Sequence, residues 1–336
     1  MDFVKEMRAK AASLQKKLVL PEGTEPRTVK AAAILMDQGL ASSVTLLGNM
    51  EAVRAAASRE GVKTEKVTLI DPANSSLLEH YANELYELRK HKGMTPEQAK
   101  IDIVDPLRWG AMMVHMGDAD AMVAGAENTT GDVLRAGLAI IGTLPGLKTA
   151  SSCIVMTGMD SSIDGAPLGK DGSLIFSDCA VIPDPTAEQL ADIAESTAQS
   201  CREFLETEPA VALLSFSTRG SAKHDDVTKV QNAVEILKTR NPGFLFDGEL
   251  QADAALVPSI TEKKAPGSPV QGKVNTLVFP DLGAGNIGYK LVQRLGRADA
   301  FGPFLQGFAK PISDLSRGAS VEDIVVTCAV TLSRAK

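Results

Sequence analysis

The sequence predicts a two-domain α/β protein with mostly parallel sheets and flanking helices. Short apolar runs alternate with longer segments of helical spacing along most of the chain. Aromatic residues make up only 4% of the chain while alanine and glycine are frequent, which favours helix-on-sheet packing over an all-β sandwich. The 336 residues suffice for two domains. Repeated strand–helix units predict parallel strands with helices on both faces.

The first part of the chain predicts strand–helix units in succession. It opens with an amphipathic helix, because Phe3, Met7 and Ala11 recur at helical spacing. The elements predicted after it are strand 18–20, helix 29–38, strands 44–47 and 67–70, a helix including 96–102, a strand ending at 125 and a helix over 132–141.

From Lys148 onward the pattern changes, which places a domain boundary near residues 146–148. Two apolar segments without helical spacing predict paired strands, and the segment between them is rich in turn-forming residues. The elements predicted here are strands 149–158 and 173–182, a long helix 186–206 and strands 211–218, 243–250 and 274–281.

Charge and cysteine usage exclude several classes of function. The net charge of −7 argues against a nucleic-acid surface, which needs a basic face. No apolar run reaches the roughly 20 residues of a membrane span, and the charged N-terminus is not a secretory signal. Four scattered cysteines and four scattered histidines form no zinc motif. We expect a cytoplasmic protein with reduced cysteines and no metal.

The C-terminal segment combines Ser316, Arg317 and Gly318 in one turn, with Asp323 shortly after it. The arginine fork can bind a phosphate or acyl phosphate, the serine can donate to an oxyanion, and the acid can remove a proton. A structural interpretation stays open. Ser320 can cap a helix in which Asp323 completes a capping box, and the arginine and serine can be ordinary turn residues facing solvent.

A second candidate site follows the apolar strand that ends at Gly125. The polar loop AENTT leads into a helix near Thr130, and ligands of α/β sheets bind where strands end and helices begin. Thr129 and Thr130 offer hydroxyl and N–H groups to a phosphate, and Arg135 adds a positive charge. The alternative is an ordinary N-cap threonine with an exposed arginine.

The string GAGNIG, Gly283–Gly288, follows a predicted strand and matches the dinucleotide-binding pattern. That pattern also requires a second strand ending in an acid about 20 residues later, whereas here Asp299 is predicted in a turn. We therefore predict a tight strand-to-helix turn with room for an anion, with Tyr289 and Lys290 one turn inside the helix.

These strings resemble the phosphate acetyltransferase, or phosphotransacetylase, family, which also includes phosphate butyryltransferases. The resemblance rests on the segments LVLPEGTEPR (18–27), MVAGAENTTGDVLRA (122–136), LSFSTRGSAKH (214–224), DGELQADAAL (247–256), VNTLVFPDLGAGNIGYKLVQRLG (274–296) and GPFLQGFAKPISDLSRGASVED (302–323). It extends over nearly the whole chain.

The resemblance implies a fold similar to that of the isocitrate and isopropylmalate dehydrogenases. The C-terminal segment would return to complete the first domain, so that residues 1–147 and 303–336 form one domain and 148–302 the other. It further implies an active site in the cleft between the domains, a homodimer, and coenzyme A as substrate rather than as a permanently bound cofactor.

The resemblance also implies the roles of individual residues. Asp323 would deprotonate the coenzyme A thiol, Arg317 would hold the phosphoryl group, and Ser316 would stabilise the oxyanion. The implied substrate-binding residues are Arg89 and Arg135 for coenzyme A and Thr130 and Lys290 for acetyl phosphate. Thr129 and Tyr289, their neighbours in the chain, are also expected to bind substrate. Some family members carry a cysteine near residues 160–165, where this chain has none, so direct transfer in a ternary complex is expected.

Two alternatives to an acetyl transferase stay open at this stage. The first is a butyryl- or other acyl-specific transferase, since one methylene changes binding in a pocket by only about 1–3 kcal/mol. The second is a non-catalytic acetyl-CoA-binding regulatory module. The length of the chain and the presence of Ser316, Arg317 and Asp323 together argue against the second.

Overall fold

A computed structural model describes residues 2–335 and divides them into two compact units. The first unit comprises residues 2–145 and 308–335, and the second comprises residues 146–307. The second boundary lies five residues beyond the predicted 302/303, because a strand over Asp299–Gln306 runs through that position and pairs within the second unit.

Residues 2–145 form seven α-helices and four strands: α1 (Phe3–Leu14), β1 (Lys17–Leu20), α2 (Pro26–Asp37), β2 (Ser43–Leu47), α3 (Met50–Arg59), β3 (Thr68–Ile70), α4 (Leu78–Arg89), α5 (Pro96–Asp102), α6 (Pro106–Met116), β4 (Ala121–Ala124) and α7 (Thr130–Ile140). Short 3₁₀ turns lie at Pro72–Asn74 and Lys90–Lys92.

Residues 146–307 form β5 (Ser151–Thr157), β6 (Ser162–Ile163), β7 (Ala166–Pro167), β8 (Leu174–Ser177), α8 (Ala187–Leu205), β9 (Ala210–Leu214), α9 (Asp225–Arg240), β10 (Leu245–Leu250), α10 (Ala252–Leu256), α11 (Pro258–Lys264), β11 (Thr276–Val278), α12 (Leu282–Leu295) and β12 (Asp299–Gln306). Residues 308–335 return to the first unit as β13 (Ile312–Asp314) and α13 (Val321–Ser333).

The first unit is built on a five-stranded parallel sheet in the order β13-β4-β1-β2-β3. Alternate strand residues face opposite sides, so both faces need a cover. Leu18 and Val123 belong to the core formed with α2, α3 and α13. The side chain of Met122 lies on the opposite face, against α6. A Cβ added to Gly110 of that helix would be only 2.9 Å from the Met122 sulfur. The predicted sheet with helices on both faces is therefore present.

The second unit has a six-stranded sheet in the order β10-β9-β11-β8-β5-β12. Its first four strands are parallel, whereas β5 is antiparallel to both β8 and β12. Along β9, Val211 and Leu213 pack with α8 and α9, while Ala212 and Leu214 belong to the core on the opposite face. The two segments predicted as paired strands are β5 and β8, and the predicted class, α/β with mostly parallel sheets, is confirmed.

Two turns predicted in the second unit are absent from it. The glycines of GAGNIG lie inside α12, which begins at Leu282 and is capped by Asp281. Gly285 is needed for packing, because a Cβ there would lie 2.2 Å from the carbonyl oxygen of Asp178. Asp299 opens β12 and does not lie in a turn.

Candidate active site

Three loops of the first unit leave the same edge of the sheet. The strands β13, β4 and β1 are neighbours and parallel, so the segments after Asp314, Ala124 and Leu20 emerge side by side. Ligands of open α/β sheets bind at this carboxyl edge. The three segments contain most of the residues that the sequence singled out.

The loop after β4 is organised around the carboxylate of Glu22, which lies two residues after β1. Glu22 is 5% exposed. Its two oxygens accept hydrogen bonds from the backbone N–H groups of residues 125–128 at 2.8–3.1 Å, and from the Asn128 side chain at 2.9 Å. Successive N–H groups form a cradle for an anion, and here the protein supplies that anion itself. The loop therefore has one strongly preferred conformation.

Arg27 joins the same loop to the turn that follows β13. One of its terminal nitrogens, Nη1, donates to the carbonyl oxygens of Arg317 and Ala319, both at 2.8 Å. The other, Nη2, donates to the carbonyl of Ala126 at 3.1 Å, and Nε pairs with Glu25 at 2.7 Å. A rigid guanidinium fork makes several such bonds at once. Arg27 thus holds the position of the Ser316–Gly318 turn.

Within that turn, the side chain of Arg317 is exposed and has no partner among residues 2–335. Ser316 is also exposed, and its Oγ accepts a hydrogen bond from the N–H of Gly318 at 3.2 Å. The backbone closes where Ala319 N–H donates to the Ser316 carbonyl at 2.9 Å. The turn presents a guanidinium and a hydroxyl to solvent on a fixed backbone.

The capping box expected at the start of α13 is present. Asp323 Oδ2 accepts from both the backbone N–H and the hydroxyl of Ser320 at 2.8 Å, and Ser320 Oγ accepts from Asp323 N–H at 3.1 Å. The other carboxylate oxygen, Oδ1, is in an exposed side chain and forms no bond within residues 2–335. Capping therefore occupies only one oxygen and leaves the other available to take a proton.

The helix after the AENTT loop begins as predicted, near Thr130. Thr129 is its N-cap and accepts from Asp132 N–H at 3.2 Å. The hydroxyl of Thr130 donates instead to the buried carboxyl of Asp314. Each threonine hydroxyl thus already has a partner in the protein.

Arg135 is largely exposed and pairs with Asp132 at 2.6 Å, one helical turn away. An exposed pair of this kind contributes little to stability, so a ligand phosphate can replace the carboxylate. Arg135 and Asp132 line a cavity of about 180 Å³ together with Arg108 and Asn128. Asp105 lines it too, so the cavity has two arginines and two aspartates, and an anionic ligand would have to displace Asp132 from Arg135.

Arg89 is the last residue of α4, a helix that contacts α7. Its side chain is half-buried and has no partner within the described part of the chain. Its guanidinium is therefore free to bind a ligand.

Tyr289 and Lys290 belong to the second unit, on α12. Lys290 is exposed, with its Nζ 5.8 Å from the centre of the Tyr289 ring. Tyr289 packs against the core, and this burial raises the pKa of its hydroxyl. The spacing predicts Lys290 one turn inside the helix. That prediction is wrong, because α12 starts at Leu282 and Lys290 is its ninth residue.

The chain matches the family model for phosphate acetyl/butaryl transferase over residues 2–332. It belongs to this family. It is 59% identical over 334 residues to the phosphate acetyltransferase of Treponema pallidum, covering 99% of this chain and 98% of that protein. It is 50% identical over 336 residues to the phosphate acetyltransferase of Thermoanaerobacterium thermosaccharolyticum, covering 100% of both.

Solved structures agree with the assignment to the phosphate acetyl/butaryl transferase family. A phosphotransacetylase from Streptococcus pyogenes is 42% identical with a TM-score of 0.90, covering 99% of this chain and 98% of that one. A 4-hydroxythreonine-4-phosphate dehydrogenase from Burkholderia phymatum is 13% identical with a TM-score of 0.51, covering 95% and 96%. The second likeness concerns the fold alone and agrees with the predicted similarity to a dehydrogenase fold.

Sequence reasoning missed three residues of this family member that organise the candidate site, namely Glu22, Arg27 and Asp314. The first two lie in the segment LVLPEGTEPR, one of the strings that carry the resemblance. The available signal was their position, because an acid and an arginine follow directly on an apolar strand at the edge where ligands bind. Asp314 has no comparable signal, since its role depends on a contact with a distant residue.

Membrane-spanning helices and metal clusters are both absent from the described residues. None of the helices within residues 2–335 has the length and apolar character that crossing a bilayer requires. No three His, Cys, Asp or Glu side chains of that same range are grouped so as to hold a metal ion.

Proposed function

We propose that this protein is a phosphate acetyltransferase, which transfers acetyl reversibly between coenzyme A and phosphate. The observation that carries the proposal is the full-length relationship to phosphate acetyltransferases at 59% and 50% identity. The exposed, well-fixed arrangement of Ser316, Arg317 and Asp323 supports the same chemistry.

Asp323 acts as the general base. Its Oδ1 takes the proton of the coenzyme A thiol, because the thiolate is the nucleophile and a free thiol is mostly protonated at neutral pH. The thiolate attacks the carbonyl carbon of acetyl phosphate, the new S–C bond forms, and the C–O bond to phosphate then breaks. Phosphate leaves with the electron pair of that bond, and the proton on Asp323 passes to solvent.

Arg317 and Ser316 stabilise the transition state of this transfer. The unpaired guanidinium of Arg317 binds two oxygens of the phosphoryl group, and the Ser316 hydroxyl donates to the carbonyl oxygen as it becomes negative. Removing one such donor should lower turnover about 100- to 1000-fold. Arg27 keeps both groups in place through its bonds to the turn.

The proposed substrate-binding residues fall into two groups by ligand. Arg89 and Arg135 hold the phosphates of coenzyme A, and the cavity beside Arg135 supports this assignment. Thr130 and Lys290 contact acetyl phosphate, and their neighbours Thr129 and Tyr289 are further substrate-binding residues. Direct transfer in a ternary complex, with coenzyme A and acetyl phosphate bound together, requires no covalent acyl-enzyme. The placement of the site between the two domains stays a prediction.

The test is phosphate-dependent release of coenzyme A from acetyl-CoA and, in parallel, from butyryl-CoA. We expect fast turnover with acetyl-CoA and slower turnover with butyryl-CoA. A higher rate with butyryl-CoA would assign the longer acyl chain. Tight binding of acetyl-CoA without turnover would assign the regulatory module and refute the enzyme.

We also propose that the protein is a cytoplasmic homodimer. All four cysteines are buried free thiols, which is typical of a reducing compartment. On α12, Ile287, Leu291 and Leu295 are 61%, 52% and 80% exposed and recur every four residues, so they form an apolar stripe that a second copy can cover. Leu291→Glu should shift the dimer to monomer in light scattering, whereas Leu138→Glu, at an exposed leucine of α7, should not.

A further inference from the structure

Asp314 has a buried carboxyl group without a cationic partner. It is the last residue of β13 and is 8% exposed. Its Oδ2 accepts the hydrogen of the Thr130 hydroxyl, whereas Oδ1 is buried without any hydrogen bond. Within residues 2–335 no ion pair involves this carboxyl. Burial of such a group is costly, so its presence at this position calls for an explanation.

The sheet holds this carboxyl in place. Asp314 is paired with Ala124 in the parallel register of β13 and β4, and the next N–H, of Leu315, donates to the Ala124 carbonyl at 2.8 Å. A Cβ on Gly125, whose φ is +112°, would lie 2.4 Å from Asp314 Oδ1. Only glycine leaves room for the carboxyl there. The contact with Thr130 is therefore built into the strand register.

Asp314 lies between the two segments proposed to bind phosphate. It contacts Thr130, the first residue of α7, and precedes Ser316 by two positions in the chain. The following inference rests on the proposed function, in which Thr130 contacts the phosphate group.

We infer that Asp314 is a positioning residue that controls whether the Thr130 hydroxyl donates a hydrogen bond to phosphate. A hydroxyl has one hydrogen and two lone pairs. An ionised Asp314 accepts that hydrogen, so the Thr130 oxygen can only accept from a ligand. A protonated Asp314 donates its own hydrogen to Thr130 Oγ1, and the hydroxyl hydrogen is then free to bind a phosphate oxygen.

Asp314 changes between its protonated and ionised states within the pH range of an enzyme assay. Burial raises the pKa of Asp314 to about 6, the Thr130 hydroxyl lowers it, the nearby Glu22 raises it, and the Leu315 N–H lowers it. The titratable and charged groups on the segments that surround Asp314 at this edge of the sheet are Glu22, Glu25 and Arg27 after β1, Glu127 after β4, Asp132 and Arg135 on α7, Arg317 after β13, and Glu322 and Asp323 on α13. Among these groups it is the negative charge of Glu22 that raises the pKa of Asp314.

The test is Asp314→Asn, whose amide N–H donates to Thr130 Oγ1 at every pH and so imitates the protonated acid. The KM for phosphate is measured for both proteins between about pH 5 and pH 8. We expect equal values at the acid end and a KM about tenfold lower in the variant at the alkaline end, the size of one hydrogen bond to a charged group. Phosphate titrates identically in both assays, so the ratio of the two KM values isolates Asp314.

Matched variants separate positioning from a structural role. In a Thr130→Val background, adding Asp314→Asn should no longer change the KM for phosphate at any pH, whereas Thr130→Ser should restore the pH-dependent ratio. Asp118→Asn is the control for charge removal, since Asp118 accepts a hydroxyl hydrogen from Tyr81 in the same unit. Its KM ratio to wild type should stay near one.

A KM ratio that is constant with pH would overturn the inference while leaving the proposed function intact. A wild-type protein without phosphate-dependent turnover would instead refute the proposed function. In that case calorimetric titration with inorganic phosphate decides the inference, because the affinity ratio of wild type to Asp314→Asn must show the same pH dependence. Equal affinities at all pH values, or no phosphate binding, would overturn it.

Discussion

Asp323→Asn separates the two roles that the structure permits for this residue. Asp323 Oδ2 caps α13 through the N–H and hydroxyl of Ser320, while Oδ1 has no partner within residues 2–335. Asparagine keeps one oxygen that can accept from the Ser320 N–H. It has no carboxylate that can take a proton. The substitution therefore preserves most of the cap and removes the base.

The two roles differ in the size of the expected effect. A side-chain cap contributes about 1 kcal/mol, so retaining one acceptor should limit the loss in unfolding free energy to less than about 1 kcal/mol. For a chain of 336 residues, such a change lowers the Tm by no more than about 1–2 °C. Loss of a general base lowers turnover about 100- to 10,000-fold, which corresponds to roughly 3–5 kcal/mol in the activation barrier.

The assay is phosphate-dependent release of coenzyme A from acetyl-CoA, run beside thermal unfolding on the same samples. The matched control is Ser320→Ala, which removes the hydroxyl partner of Asp323 but keeps the carboxylate. We expect this control to lose about 1 kcal/mol of stability and less than about threefold in turnover. If Asp323→Asn keeps its turnover, or Ser320→Ala loses as much, Asp323 is a helix cap and not the base.

Three further predictions concern the residues that organise the site. Burial raises the pKa of Asp314 from 3.8 to about 6. The stability that the protonated carboxyl contributes is therefore complete below pH 4 and is lost as the pH rises through 6. In urea unfolding, the unfolding free energy of Asp314→Asn relative to wild type should rise by about 3 kcal/mol between pH 4 and pH 8, and a difference that stays constant with pH would contradict the burial argument. Glu22→Gln places an amide N–H₂ against backbone N–H donors and should lower the unfolding free energy measured in urea by about 3 kcal/mol. The control Glu97→Gln, at an exposed glutamate, should cause no measurable loss. Equal losses would show that the hydrogen bonds to Glu22 do not stabilise the loop. Arg27→Lys replaces the two terminal nitrogens that reach carbonyls on two different loops by a single nitrogen. It should lower kcat about tenfold or more in the coenzyme A release assay, and an unchanged kcat would show that the turn needs no such support.

Local features of this protein were determined by the sequence alone. The caps at Thr129 and Ser320 are bonds between residues three apart, and the alternation of apolar runs with helical spacing predicts the order of most strands and helices. The resemblance rests on contiguous strings of residues, so the amino-acid sequence is sufficient to indicate the family. These features involve neighbours in the chain, whose geometry follows from spacing.

The tertiary structure decided the contacts that organise the site. Thr130 and Asp314 are 184 residues apart, Glu22 reaches a loop 103–106 residues away, and Arg27 reaches a turn 290 residues away. These contacts exist because β13, β4 and β1 are adjacent and parallel, an order that periodicity along the chain does not encode. The same holds for Gly285, whose role is close packing against Asp178 and not an anion-binding turn. Spacing in a sequence specifies how each segment is shaped, while strand order and register decide which distant side chains meet.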